Sequence, residues 1–134
     1  MSGLVLKLGP KERVLINGAV VENGDRRVRL AITTPDAHIL RLRDAIHPEE
    51  ANTPVRRACY ATQLVLSGDL SPERGRHQLL RRLEELSQVF TDPDSRSALA
   101  QATDGVIGGH FYKSLKALRS LLPREARLFA SGRM

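Results

Sequence analysis

The hydrophobic period of this chain changes once, near Glu50-Ala51, and that change limits the folds open to it. Before it, apolar residues recur every second position, as in Leu4-Val5-Leu6-Lys7-Leu8, the repeat of a half-buried strand. Gly9-Pro10 breaks that run. Arg13-Val14-Leu15-Ile16 and Ala19-Val20-Val21-Glu22 follow, joined by Asn17-Gly18, a two-residue hairpin signature. Asn23-Gly24-Asp25 makes a further turn. Segments 27–33 and 37–42 read as two more strands around Thr34-Pro35-Asp36. Five short strands with tight turns predict a small antiparallel sheet.

After the change, apolar residues take helical spacing. Thr53-Pro54, Ser71-Pro72 and Asp92-Pro93 each place a capping residue before a proline at the first helical position. The first helix should run to about Leu66 and stop at Gly68. The second aligns Leu79, Leu83, Leu86 and Phe90 on one face. The third ends near Gly105 or Gly108-Gly109. The last aligns Phe111, Leu115, Leu118 and Leu122 and is expected to end at Pro123, with the tail frayed or docked as a short segment. The expectation is an α+β chain. An antiparallel β-subdomain over residues 1–50 precedes a helical subdomain over 51–134, with about four helices packed against it. His47-Pro48-Glu49-Glu50 is too short for a free linker.

Composition excludes several classes. With 134 residues the chain suits one domain or two tightly packed subdomains. No apolar run approaches the ~20 residues that span a bilayer. Met1-Ser2-Gly3-Leu4 does not open like a secretory signal. One cysteine, Cys59, leaves no internal disulfide and fits a reducing cytoplasm. His38, His47, His77 and His110 lack metal-site spacing, so no metal or other cofactor is expected. No local motif assembles a nucleophile with a base, and Gly105-Val106-Ile107-Gly108-Gly109 lacks the Lys-Ser/Thr of a phosphate loop. An enzyme is therefore not expected.

Net charge is +6, which favours a polyanionic partner. In the strand region, alternation burying Leu4, Leu6, Leu8, Val14, Ile16, Val28, Leu30, Ile32, Leu40 and Leu42 sends Lys7, Arg13, Arg27, Arg29, Arg41 and Arg43 to the other face. Such a stripe is a phosphate platform, with Arg27, Arg29, Arg41 and Arg43 as its candidate RNA-binding residues. It lacks the aromatic stackers of the commonest RNA-binding sheets. The alternative is a solvated face whose arginines pair with Glu12, Glu22 and Asp36. Arg56-Arg57 opposes the helix dipole in the first turn after Pro54, and either pairing with Glu49 or Glu50 or contact with a partner would compensate. Lys113, Lys116 and Arg119, with Arg124 and Arg127 beyond, form either a second anion-facing surface or simply a wet helix face.

The run Leu6 to Val21 (LKLGPKERVLINGAVV) and the segment Thr53-Pro54-Val55-Arg56-Arg57-Ala58-Cys59-Tyr60, with Gln63 following, resemble the FlbT family. The order and spacing fit over roughly residues 3 to 120. The resemblance implies post-transcriptional repression of flagellin synthesis through the 5′ untranslated region of flagellin messenger RNA. It also implies partnership with FlaF, and with flagellin itself in some readings. Val28 to Pro35, then Arg43-Asp44-Ala45-Ile46, is similar to the later strands of the CsrA family of RNA-binding repressors. That likeness implies an RNA-contacting arginine at Arg43. One extra residue between Pro35 and Arg43 leaves Arg41 equally placed, and the family's interleaved dimers make a homodimer an expectation. The function expected is RNA-binding translational repression in the cytoplasm. A protein-binding adaptor for flagellin or FlaF is the alternative, and an apolar groove between helices would favour it.

Overall fold

The computed structural model describes residues 4–17, 19–35, 37, 39–41 and 45–132. Five strands come first: β1 (Leu4–Leu8), β2 (Arg13–Ile16), β3 (Ala19–Glu22), β4 (Val28–Ile32) and β5 (Ile39–Arg41). A 3-10 turn at Pro48–Glu50 leads to α1 (Pro54–Leu66), α2 (Pro72–Ser87), α3 (Pro93–Gly108), α4 (Phe111–Arg119) and α5 (Leu122–Ala130). The α+β class, with strands before the period change and helices after it, is as expected. No helix among the described residues is long and apolar enough to cross a membrane.

The strands form two antiparallel sheets, a β1-β4 ribbon and a β3-β2-β5 sheet. Asn17, at φ 49°, has the left-handed backbone that the β2–β3 hairpin turn requires. Asn23 fixes the other pairing. Its amide donates to the carbonyls of Gly9 (2.7 Å) and Arg26 (2.8 Å), tying the β3–β4 turn to the end of β1. The ribbon register then sets Leu6 opposite Leu30 and Lys7 opposite Arg29.

Strand β2 is covered on both faces, which explains its three consecutive apolar residues. Val14 and Ile16, with their cross-strand partners Val21 and Ile39, face the ribbon and close a small core with Leu6, Leu8, Leu30 and Ile32. Leu15, with its partners Val20 and Leu40, points the other way into the helical core. Leu40 therefore does not share a face with Val14, contrary to the alternation read above. Leu4 and Val28 also depart from it, being 51% and 39% exposed. Strands of three and four residues are too short to cover a five-residue ribbon to its ends. Leu42 lies outside the described residues.

Helices α1, α2 and α3 start on the same device. Thr53 accepts from Arg56 N (3.2 Å), Ser71 from Arg74 N (3.2 Å) and Asp92 from Ser95 N (3.0 Å), each with proline next. Leu79, Leu83, Leu86 and Phe90 are all buried, as their spacing predicts. Gly109 ends α3 in the left-handed conformation at φ 77°. Gly105, by contrast, sits inside α3. A Cβ there would lie 2.3 Å from Ser114 Oγ, so its absence lets α4 approach. The Ser114 hydroxyl donates to Ala102 O at 2.8 Å across that contact.

Pro123 does not end the last helix. It lies in the first turn of α5, where its missing N–H costs nothing, so the tail forms a helix of its own. The strands and helices share one core, in which Leu15, Ala45 and Ile46 pack with the helical residues. Buried Gln63 clamps the connection. Its carbonyl oxygen accepts from Ile46 N (2.8 Å) and its amide donates to Ile46 O (3.1 Å).

Candidate functional site

The ribbon register decides what the basic residues do. With Leu6 and Leu30 turned inward, Lys7 and Arg29 stand directly opposite each other on the outer face. Arg27, two residues before Arg29, is also exposed. Among the described residues the side chains of Lys7, Arg27 and Arg29 make no ion pair or hydrogen bond. Like charges directly across a ladder destabilise it, so this arrangement is not explained by sheet stability.

Arg41 reaches the same place from the other sheet. It pairs with Val14 in register and so faces the ribbon, not the outer surface expected for it. Its Nε donates to Glu12 Oε2 (2.7 Å) and its Nη2 to Glu12 Oε1 (3.1 Å), a forked pair, and Nη2 also donates to the carbonyl of Lys7. The Glu12 carboxylate raises the Arg41 pKa above its ordinary value, chiefly through that hydrogen bond. Glu12 is itself held by Gly9 N at 2.8 Å. Arg41 is thus a stitch between the sheets. It still borders, with Lys7, Glu12, Arg27 and Arg29, one shallow cleft of about 490 Å³.

Arg13 leaves the stripe altogether. It points to the helical side, donating to Glu22 (2.9 Å), Glu50 (2.8 Å) and the carbonyl of Ala45 (2.7 Å). Its guanidinium, with help from His47 N, holds the Glu50 carboxyl below the usual carboxylate range. Pairing with carboxylates therefore describes Arg13 and Arg41, and does not describe Lys7, Arg27 and Arg29. Arg43 and Asp36 lie outside the described residues.

Glu50 is consequently not the partner of Arg56-Arg57, which are exposed in the first turn of α1. The compensation comes from α5. Buried Glu125 accepts from Val55 N (2.8 Å) and from the Thr53 hydroxyl (2.5 Å), placing both carboxyl oxygens at the positive end of α1. Sequence reasoning missed it, although a signal exists: Glu125 is the lone acid after Asp104, among otherwise basic residues.

Two of the larger clefts lie in the helical part. One, of about 740 Å³, lies between the α2–α3 corner and α5, lined by Val89, Phe90, Asp92, Arg124, Arg127 and Leu128. Within it Arg124 is engaged with Asp94 (3.4 Å) and Ser95 (3.2 Å). The other, of about 680 Å³, lies along α4 and the start of α5. No group of His, Cys, Asp and Glu among the described residues is arranged to hold a metal ion. Burial pushes the Cys59 thiol up to about 12, far from a reactive thiolate.

Comparison with known proteins identifies relatives of this chain. The family model "Flagellar protein FlbT" matches residues 4–129. A Caulobacter sp. (strain K31) protein named "Probable flagellum biosynthesis repressor protein FlbT" is 34% identical over 122 residues, covering 91% of this chain and 92% of its own. A Mesorhizobium japonicum protein of the same printed name is 35% identical over 124 residues, covering 92% and 83%. The "Flagellum biosynthesis repressor protein FlbT" of Caulobacter vibrioides (strain ATCC 19089 / CIP 103742 / CB 15) is 30% identical over 122 residues, covering 91% and 86%. No solved structure matches.

Proposed function

The chain belongs to the FlbT family, and from that premise we propose that it represses flagellum biosynthesis by binding the leader of flagellin messenger RNA in the cytoplasm. The names its relatives carry support the repressor part. One observation supports the RNA part: Lys7 stands opposite Arg29, beside Arg27, with no carboxylate partner for any of the three among the described residues. A ladder that tolerates this repulsion is suited to a polyanion, whose phosphates remove it.

The mechanism needs no chemistry on the message. The ribbon face holds the backbone of the leader, and the bound protein blocks ribosome access or exposes the message to decay. Arginine forks give directional phosphate contacts, and specificity comes from RNA shape or exposed loop bases. Arg41 contributes by fixing the second sheet against the ribbon and lending charge to the cleft rim. Arg43 belongs to the same proposal on sequence grounds alone.

The test uses Lys7→Gln with Arg29→Gln. Arg41→Gln is a poorer choice, because it strips Glu12 of its forked partner. Affinity for the leader should fall with salt at about −0.7 log unit per log salt for each phosphate contact, and the double variant should flatten that slope by about one to two contacts' worth. Unchanged affinity and slope in a folded double variant would sink the ribbon as the RNA-binding face. A second reading has an observation behind it as well: the 740 Å³ groove beside α5 is the kind of surface an adaptor for FlaF or flagellin would use. Pull-down with the full chain is the appropriate check, since Leu15, Ala45 and Ile46 complete the helical core and a fragment from Ala51 lacks them.

A further inference from the structure

The ribbon platform has cations but no exposed aromatic ring, and the ring it lacks is found on α4. Tyr112 is 54% exposed, at the mouth of the 680 Å³ cleft. One helical turn on, Lys116 lines the same cleft, followed by half-buried Arg119 and by Ser120. Buried Leu115 and half-buried Leu122 lie beneath, with Pro123 at the end. Among the described residues no acid lines this space. Glu125, the lone acid after Asp104, is turned inward onto α1 and is 2% exposed. The result is a flat ring beside the exposed Lys116 cation over a short apolar floor.

We infer that this cleft is a second contact site for single-stranded RNA, with Tyr112 stacking an unpaired base and Lys116 holding the adjoining phosphate. The inference rests on the RNA reading above and extends it to a separate surface. A tyrosine face stacks any base, and a cation one turn along the same helix meets the adjoining backbone. An acidic amphipathic helix is a poorer fit, because it needs a long apolar groove for anchors at successive turns, and here the floor is one residue from α4 and two from α5.

The chain has two tyrosines and no tryptophan, so Tyr60→Phe leaves Tyr112 as the reporter of its own site. The full-length Tyr60→Phe protein is titrated with an oligouridylate of about ten nucleotides, following tyrosine emission. Saturable quenching is expected, and it should persist when Lys7→Gln and Arg29→Gln are added. Tyr112→Leu should weaken binding by roughly five- to hundredfold, whereas Tyr112→Phe keeps the ring and should bind nearly as wild type. Lys116→Gln should flatten the salt slope by about 0.7. Tyr112 is largely exposed, so melting curves of these variants should overlay the parent. RNA binding that leaves Tyr112 emission unchanged overturns the cleft assignment while the ribbon reading stands. Equal quenching by polyglutamate at the same concentration also overturns it, marking an acidic-protein surface. Absence of any RNA binding overturns both.

Discussion

Replacing Glu125 by alanine removes both acceptors from the start of α1. The Val55 N–H is then buried without a partner, which costs about 1–3 kcal/mol. The Thr53 hydroxyl loses its acceptor, worth about 1 kcal/mol. A charge at the helix N-terminus contributes a further 0.3–1 kcal/mol or so. The sum is about 2–5 kcal/mol, a large share of the roughly 5–15 kcal/mol that holds a domain of this size together. For a chain of this length that loss lowers Tm by roughly 7–18 °C. Glu125→Gln keeps one oxygen for Val55 and should cost only about 1–2 kcal/mol. The assay is urea unfolding followed by circular dichroism, with Thr53→Ala and the double variant completing a cycle. The expected coupling is about 0.5–3 kcal/mol, as for partners in one hydrogen-bond network. A loss under about 1 kcal/mol for Glu125→Ala, or a coupling of zero with Thr53, would refute the reasoning.

Gly105→Ala should destabilise the chain by about 1–3 kcal/mol through overpacking, because the added carbon meets Ser114 Oγ at 2.3 Å and His110 O at 2.8 Å. Urea unfolding would expose the error if the variant were as stable as wild type or more so. Cys59, with its thiol pushed up to about 12 by burial, should resist a thiol-specific disulfide reagent in the native protein and react fully in denaturant. Rapid native labelling would contradict the buried placement.

Local chemistry determined much of this protein. Alternation and the Asn17-Gly18 turn mark the β2–β3 hairpin, and Thr53-Pro54, Ser71-Pro72 and Asp92-Pro93 mark three helix starts, because strand period, turn and cap each depend on a few adjacent residues. Pro123, expected on the same local grounds to end the last helix, does not end it. Proline suits either the end of one helix or the first turn of the next, and the chain uses the second option.

Which face each strand presents was a tertiary matter. Alternation assigns residues to two faces but does not say that both will be covered. Once β2 lies between the ribbon and the helices, Val14 and Leu15 are both core, Arg41 turns toward Glu12, and Arg13 turns toward Glu50. Pairing of β1 with β4 leaves Lys7 and Arg29 facing each other with no acid between them among the described residues, which the sequence lists merely as two cations twenty-two positions apart. Glu125 reaches α1 across seventy residues of chain. No local pattern encodes such contacts, because they exist only where folding brings distant backbone and side chain within hydrogen-bonding reach and excludes the water that would otherwise serve both.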